Sequence, residues 1–177
     1  MHLYLVRHGK TKWNDKNLIQ GDKDLSLSIN GIKEVKELKT KTDKLDYDIC
    51  ISSSLKRAIE TANILVDNRC KIIYDDRIRE RKMGLLEGNS TEKYNKEKYW
   101  DYNYQKEKTN VETPKELLKR TKEFLDEIKI KYPDKNVLII SHSGTIKALY
   151  YNIVGYDKNT DLTTFYANHN EIFKFEI

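Results

Sequence analysis

Short apolar runs alternate along the chain with longer segments in which apolar residues recur every three or four positions. The runs predict β-strands, and the periodic segments predict amphipathic helices. Strands that alternate with helices favour an α/β fold, with a mostly parallel central sheet and helices on both faces. The expected strands lie at 2–6, 47–51, 71–74 and 136–140, and the expected helices at 28–42, 55–66 and 113–132.

The predicted helices carry recognisable start signals. Ser28 is a suitable N-cap for the helix at 28–42, because its hydroxyl can accept a hydrogen bond from an amide of the first turn. Thr113-Pro114-Lys115-Glu116 combines an N-cap, a proline at the first helical position and a capping-box glutamate. The helix at 28–42 is expected to bury Ile29, Ile32, Val35 and Leu38, and the helix at 113–132 to bury Leu117, Leu118, Phe124, Leu125 and Ile128.

The other segments are assigned from their polarity. The run at 136–140 is the most hydrophobic and is predicted to be a central parallel strand, followed by a helix that begins near Thr145. Two C-terminal runs, 163–166 and 171–177, are predicted to be edge strands. Loops are expected at 14–27 and 76–88, and a mobile, partly helical lid at about 89–112.

Length and charge exclude several classes of protein. With 177 residues and no repeat or linker, the chain is expected to form a single domain over 1–177. The absence of a long apolar run and of a signal-peptide pattern favours a cytoplasmic protein with no membrane partner. The net charge of +5 comes from lysines spread along the chain, so no nucleic-acid partner is expected. Cys50 and Cys70 form neither a disulfide framework nor a zinc motif.

The candidate chemistry begins where the first strand ends, at Arg7-His8-Gly9. In open α/β sheets, ligands bind beyond the carboxyl ends of the strands. Gly9 permits a sharp turn close to a ligand. An imidazole can attack phosphorus while a neighbouring guanidinium neutralises the phosphoryl oxygens. His8 and Arg7 therefore indicate a site for a phosphoryl group.

A second histidine, His142, follows the strand at 136–140 and precedes a helix. Adjacent parallel strands end at the same edge of a sheet, so His8 and His142 are expected to meet. At the start of the following helix, the amides of Ser143, Gly144 and Thr145 are expected to point towards an anion.

Arg57 and Glu80 are the next candidates. The chain contains 26 lysines and seven arginines, so a surface cation would more often be lysine and the position of an arginine is informative. Arg57 lies early in the helix at 55–66, from which it can reach the same edge of the sheet. Glu80 lies in an arginine-rich loop, where a carboxylate over a cationic pocket can act as general acid and base. Glu87 is the competing carboxylate for that role.

Four motifs occur in order: Leu-Val-Arg-His-Gly-x-Thr-x-Trp-Asn at 5–14, Ser-Ser-x-x-x-Arg-Ala-x-x-Thr-Ala at 52–62, Ile-Arg-Glu-x-x-x-Gly-x-x-Glu-Gly at 78–88 and Ser-His-Ser-Gly-Thr-Ile-Lys-Ala-Leu at 141–149. Together they resemble the histidine phosphatase superfamily, the family also named for cofactor-dependent phosphoglycerate mutase. The resemblance implies a phosphoglycerate mutase-like fold. It also implies a histidine phosphatase domain over most of the chain.

The resemblance further implies a role for each motif residue. His8 would be the nucleophile and would become phosphohistidine. Glu80 would protonate the leaving oxygen and then take a proton from the attacking water. The cationic pocket around the phosphoryl oxygens would consist of Arg7, Arg57 and His142. Further contacts to the phosphoryl group or the substrate would come from Asn14, Gln20, Gly21 and Ser143. No metal site and no cofactor are expected.

The resemblance favours a metal-independent histidine acid-type phosphatase over a phosphoglycerate mutase. Mutases of this family resemble longer chains, whereas only 23 positions, 89–111, separate Gly88 from Glu112. A mutase must hold a released intermediate away from water, for which a fuller lid is expected. A remote alternative is an inactive module that binds a phosphorylated ligand. A homodimer is also allowed.

The expected partner is a small phosphorylated metabolite. The candidates are a sugar phosphate, a phosphoglycerate, α-ribazole phosphate or a broad set of phosphomonoesters. Side chains of the predicted lid could either contact this substrate or simply pack the lid: Tyr94, Lys96, Tyr99, Trp100, Tyr102 and Lys106.

Overall fold

A five-stranded sheet lies at the centre of the part of the chain that the structure, a computed structural model, describes: residues 1–106 and 108–177. Its strands are β1 (His2–Arg7), β2 (Ile49–Ser52), β3 (Ile72–Tyr74), β4 (Val137–Ser141) and β5 (Ile172–Glu176). They are arranged in the order β3-β2-β4-β1-β5. The first four are parallel, and β5 runs antiparallel along β1 at one edge.

Helices cover both faces of this sheet. The described helices are α1 (Lys12–Asp15), α2 (Ile29–Thr42), α3 (Lys56–Val66), α4 (Lys96–Tyr99), α5 (Pro114–Lys131) and α6 (Ser143–Val154). Of these, α2, α3, α5 and α6 pack on the sheet. One core lies between the sheet and α2 and α3, and the other between the sheet and α5 and α6. Alternate side chains of β1 enter the two cores, Tyr4 and Val6 the first, Leu3 and Leu5 the second. The predicted architecture is confirmed. None of the helices described is long and apolar enough to cross a bilayer.

The helix and strand boundaries follow the sequence signals closely. Apart from the C-terminal runs, each predicted end lies within two residues of the observed one. The capping box of α5 forms, since Thr113 and Glu116 each accept a hydrogen bond from the other's backbone amide. The five apolar residues predicted to face inward from α5 are buried. The strand β4 is central and parallel, and Arg7 of β1 is the register partner of its Ser141.

The predicted buried face of α2 is partly wrong. Ile29 is 86% exposed and Ile32 is 37% exposed, whereas Val35 and Leu38 are buried as expected. The reason is Gly31, where an added Cβ would lie 2.0 Å from the carbonyl oxygen of Lys10. Contact between the backbones of α2 and the loop after β1 sets the rotation of the helix. The buried face accordingly runs through Gly31, Val35, Leu38 and Thr42.

The segment at 163–166 is not the predicted edge strand, and only the second C-terminal run forms one. The side chain of Asp161 accepts hydrogen bonds from both the amide and the hydroxyl of Thr163, which turns the chain. Phe165 then stacks on Tyr150 with ring centroids 4.1 Å apart. These local contacts replace strand pairing.

Three smaller differences concern loops. The loop predicted at 14–27 is preceded by the single turn of α1, capped by Thr11. The helix α6 begins at Ser143 rather than near Thr145, because His142 is its N-cap residue. The predicted lid at 89–112 contains one 3₁₀ turn, Thr91–Lys93, and α4. Position 107 of that lid lies outside the described residues.

The exposure of Ile29 predicts a contrast within one helix. Leu38→Ala should lower the free energy of unfolding by about 2–5 kcal/mol, because it removes buried methyl groups and leaves a cavity. Ile29→Ala removes a side chain that lies in solvent and should change this free energy by no more than about 0.5 kcal/mol. Urea denaturation of both variants measures the difference. Equal losses would contradict the observed rotation of α2.

Candidate active site

His8 follows the last residue of β1, and its side chain is held at both ring nitrogens. Its Nδ1 lies 2.6 Å from the carbonyl oxygen of Gly9, and its Nε2 lies 3.1 Å from Nε of Arg57. A carbonyl can only accept and a guanidinium can only donate a hydrogen bond. The ring proton is therefore on Nδ1, and the electron pair of Nε2 accepts the hydrogen bond that Arg57 donates. His8 is 2% exposed, and it lines a cavity.

Arg57 is fully buried, and its guanidinium is surrounded by acceptors. Besides the bond to His8, its two terminal nitrogens donate to the carbonyl oxygens of Gly21, at 2.8 Å, and Lys23, at 2.6 Å. The loop predicted to touch a substrate thus also holds the arginine against His8. Arg7 lies on the other side of the cavity and donates to the carbonyl oxygen of Ala167 and the hydroxyl of Tyr166.

His142 meets His8 as the strand positions predict. The two ring centroids are 4.9 Å apart. The Nε2 of His142 lies 2.8 Å from the hydroxyl oxygen of Ser53, at the end of β2. His142 is fully buried and lies beside His8. Unlike His8 and Ser143, it does not line the cavity.

The amides at the start of α6 were expected to point towards an anion from outside. Two of them instead donate to Glu80, from Thr145 at 3.2 Å and from Gly144 at 3.3 Å. The backbone amide of Arg81 adds a third bond, at 2.8 Å. An added Cβ on Gly144 would lie 2.7 Å from the Glu80 carboxylate, so this close approach needs glycine. The helix terminus therefore fixes the candidate general acid.

The remaining predicted contact residues also line the cavity. The side-chain oxygen of Asn14 accepts from the Thr11 amide at 3.0 Å, which leaves its NH₂ group as the free polar end. The Gln20 side-chain oxygen accepts from the Thr11 hydroxyl at 2.9 Å. Eight of the nine predicted site residues line this cavity of about 480 Å³: Arg7, His8, Asn14, Gln20, Gly21, Arg57, Glu80 and Ser143.

The competing carboxylate, Glu87, does not line the cavity. It accepts hydrogen bonds from the amides of Asp22 and Met83 and lies against Gly21, behind the loop that holds Arg57. Burial raises the pKa of the Glu87 carboxyl, and these two amides oppose the rise. The geometry therefore favours Glu80 for proton transfer.

The predicted lid residues divide into two groups. Tyr94, Lys96 and Trp100 line the cavity. Tyr99 is instead buried between the rings of Tyr94 and Tyr104. Outside the cavity wall, Tyr102 lies against Tyr156 and Lys106 pairs with Glu116.

Sequence reasoning missed three residues of this region: His169, Arg81 and Lys147. The Nδ1 of His169 lies 2.8 Å from the backbone carbonyl oxygen of His8 and donates to it. Arg81 and Lys147 line the cavity near Trp100. The scarcity of histidine and arginine in this chain is the signal that could have drawn attention to His169 and Arg81; Lys147 is one lysine among 26.

Burial and positive charge keep the imidazoles neutral. Burial and then Arg57 hold the pKa values of His8 and His142 well below their usual range. Burial and then Arg7 lower the pKa of His169 to about 3. Burial also lowers the pKa of Arg57 to about 10. At neutral pH the site therefore combines neutral imidazoles with charged guanidinium groups.

Comparison with known proteins agrees with this geometry. The sequence profile of the histidine phosphatase superfamily (branch 1) matches residues 3–171. The chain belongs to this superfamily. A relative described as an uncharacterized phosphatase, PhoE of Bacillus subtilis, is 36% identical over 160 residues, covering 90% of this chain and 80% of the relative. A probable phosphoglycerate mutase, GpmB of Escherichia coli, is 30% identical over 165 residues, covering 88% and 75%.

Solved structures of the same fold include other phosphatases. The phosphoserine phosphatase of Entamoeba histolytica superposes with a TM-score of 0.85 at 23% identity, covering 99% of this chain and 90% of the other. A mycobacterial glucosyl-3-phosphoglycerate phosphatase superposes with a TM-score of 0.87 at 21% identity, covering 98% and 90%. At these identities the superpositions establish the fold of this histidine phosphatase superfamily member.

The buried neutral histidines predict acid sensitivity. In the unfolded chain each imidazole has a pKa near 6.5, whereas in the folded chain it stays neutral to a lower pH. The unfolded state therefore binds more protons below about pH 6.5, and the free energy of unfolding falls as the pH drops. Each contributes up to about 1.4 kcal/mol per pH unit, and for His169 the loss continues to about pH 3. His169→Asn retains a donor near the Nδ1 position. It should lower the dependence of the free energy of unfolding on pH by the contribution of one histidine. Urea denaturation from pH 7 to 5 in phosphate-free buffer measures the slope, and identical slopes would contradict the assignment.

Proposed function

We propose that this superfamily member is a phosphomonoesterase that acts on a small phosphorylated metabolite through a phosphohistidine at Nε2 of His8. The observation that supports this most directly is the pair of contacts at the His8 ring. The Gly9 carbonyl fixes the proton on Nδ1, and Arg57 lies beside the nitrogen that is left to attack. A neutral, oriented imidazole is the form that a nucleophile requires.

In the first proposed step, Nε2 of His8 bonds to phosphorus as the ester P–O bond breaks. Arg7 and Arg57 stabilise the charge on the phosphoryl oxygens, with the Asn14 NH₂ group and the Ser143 amide as further donors. His142, which is neutral and buried outside the cavity wall, packs beside the His8 ring instead. Phosphoryl transfer depends mainly on such positioning and charge stabilisation. This cluster of guanidinium groups provides positive charge without a metal ion, which supports metal-independent catalysis.

Glu80 supplies the proton to the leaving oxygen. Its Oε1 accepts from the amides of Arg81 and Thr145, whereas Oε2 accepts, among the described residues, only from the Gly144 amide, at 3.3 Å. Oε2 is thus the oxygen better placed to carry the proton. In the second step Glu80 takes a proton from water, the water oxygen bonds to phosphorus and the P–Nε2 bond breaks. The products are the alcohol and inorganic phosphate.

The phosphatase reading is preferred to a mutase for two reasons. The relative with 36% identity is described as a phosphatase, whereas the relative described as a probable mutase is 30% identical. The short segment between Gly88 and Glu112 also lacks the large insertion expected of a mutase. The intact trio of His8, Glu80 and His142 argues against an inactive binding module.

His8→Ala should abolish hydrolysis of p-nitrophenyl phosphate and the acid-labile phosphoenzyme, because no nucleophile remains. His2→Ala, in the same strand, is the matched control and should retain activity. Both are assayed with EDTA present, so turnover by the control also tests metal independence. Circular dichroism checks that each variant folds. Near-normal activity in His8→Ala would exclude the phosphohistidine mechanism.

Glu80→Gln should separate the two half-reactions. The amide oxygen of glutamine can keep the bonds made by Oε1, so the loop should hold its shape. p-Nitrophenolate hardly needs a protonated leaving oxygen, so this variant should give a burst of nitrophenol and then stall as phosphohistidine. An alkyl phosphate should already slow in the first step, by about 10²–10⁴-fold. Rapid quench compares Glu80→Gln with Glu87→Gln, and trapping by Glu87→Gln alone would assign the proton transfer to Glu87.

A further inference from the structure

A second group of cations lines the cavity of the proposed phosphatase site. The guanidinium carbon of Arg81 lies 4.7 Å from the Trp100 ring centroid, and Nζ of Lys147 lies 4.4 Å from it. Arg81 is 2% exposed and Lys147 is 6% exposed, yet both line the cavity. Two buried like charges against one aromatic ring are unfavourable unless an anion joins them.

Arg81 has one donor without a partner. Its Nε donates to the carbonyl oxygen of Glu112 at 2.7 Å, and its Nη2 donates to that of Tyr99 at 2.6 Å. Its Nη1 is buried and has no hydrogen-bond partner among the described residues. A buried donor left unsatisfied in this way costs about 1–3 kcal/mol, more for a charged group.

The nearby carboxylates are engaged elsewhere. Glu80 accepts from the backbone amides at the start of α6. Glu112 pairs with Arg120 at 2.7 Å, and Asp161 accepts from Thr163. Within the described part of the chain, neither Arg81 nor Lys147 forms an ion pair with a carboxylate.

The positive charges of Arg81, Lys96 and Lys147 repel one another. Burial, followed by the repulsion of Arg81 and Lys96, lowers the pKa of Lys147 to about 8, against weaker attraction from Asp161 and Glu80. Burial also lowers the pKa of Arg81. An anion bound between the two would offset this repulsion and raise both pKa values, so binding an anion here is favourable.

The position of the pair relates it to the leaving group. Arg81 directly follows Glu80, and Lys147 lies one helical turn after Gly144, whose amide holds the Glu80 carboxylate. Glu80 is the proposed proton donor to the leaving oxygen. A group carried on the leaving alcohol would therefore extend past Glu80 towards Arg81, Lys147 and Trp100.

We infer that Arg81 and Lys147 bind a carboxylate on the leaving group, so that the substrate is a phosphomonoester of a small hydroxy acid. The free Nη1 of Arg81 and the ammonium of Lys147 offer one donor group to each carboxylate oxygen. This inference rests on the proposed phosphatase function, since it takes His8 as the site of the phosphoryl group.

Binding of two matched esters to His8→Ala tests the inference without turnover. 3-Phosphoglycerate and sn-glycerol 3-phosphate differ in that the first has a carboxylate where the second has a hydroxymethyl group. Calorimetry should show that 3-phosphoglycerate binds at least about tenfold more tightly than sn-glycerol 3-phosphate, as expected for a charged hydrogen bond. In wild type, the ratio of kcat/KM for the two esters should show the same preference.

Lys147→Met in the same background should remove most of this preference, because methionine keeps the apolar stem against Trp100 and loses the charge. Lys147→Arg should restore it. Lys122→Met, which removes an exposed lysine of α5, is the matched control and should keep the wild-type ratio. Arg81 is left unchanged because it also holds two backbone carbonyls.

The outcomes separate the two proposals. Equal affinities for the two esters, with turnover and phosphohistidine intact in wild type, would overturn the carboxylate site and leave the phosphatase function standing. A preference that survives in Lys147→Met unchanged would also overturn it. No binding of either ester and no phosphohistidine in wild type would overturn both.

Discussion

The contact between the Arg57 guanidinium and the His8 imidazole is the interaction on which the site depends. Burying an arginine completely is unfavourable unless its donors are satisfied. The carbonyl oxygens of Gly21 and Lys23 do this, so the conformation of that loop is tied to the position of His8. One turn further along α3, Thr61 accepts from the Gly9 amide at 3.0 Å and donates to the Arg57 carbonyl at 2.6 Å. The helix therefore fixes both the side chain and the backbone around His8.

Much of this arrangement could be predicted from the sequence because it follows from strand order. Residues that end buried parallel strands share an edge, and this rule alone brings His8 and His142 together. Capping signals were equally local, as the box formed by Thr113 and Glu116 shows. The prediction of which face of α2 is buried was partly wrong, because the rotation of the helix was not predicted. It is set by contact between Gly31 and the backbone of Lys10, and a pattern of apolar residues gives no weight to a glycine.

The other misses also arise from contacts between distant segments. His169 reaches the His8 carbonyl from 161 positions away, which no local pattern indicates. The rule that a helix start binds an anion applied to α6, but the anion is the chain's own Glu80. Nothing in the spacing of residues 80 and 144 predicts that pairing. The sequence motifs identified most of the residues of the site, whereas the contacts between these residues become visible only in the folded structure.

The positive charge around the cavity also affects the protonation of His8 in the proposed reaction. Burial, and then Arg57, lower the pKa of His8 and so keep Nε2 free of a proton before substrate arrives. The negative charge of a phosphoryl group would offset that effect and raise the proton affinity of the ring. Since Nδ1 is already protonated against Gly9, a further proton could only go to Nε2. In the proposed reaction that nitrogen attacks the phosphorus of the ester, so formation of the P–N bond would occupy it first. The contact that fixes the tautomer thus makes Nε2 the nitrogen that is left for the proposed attack.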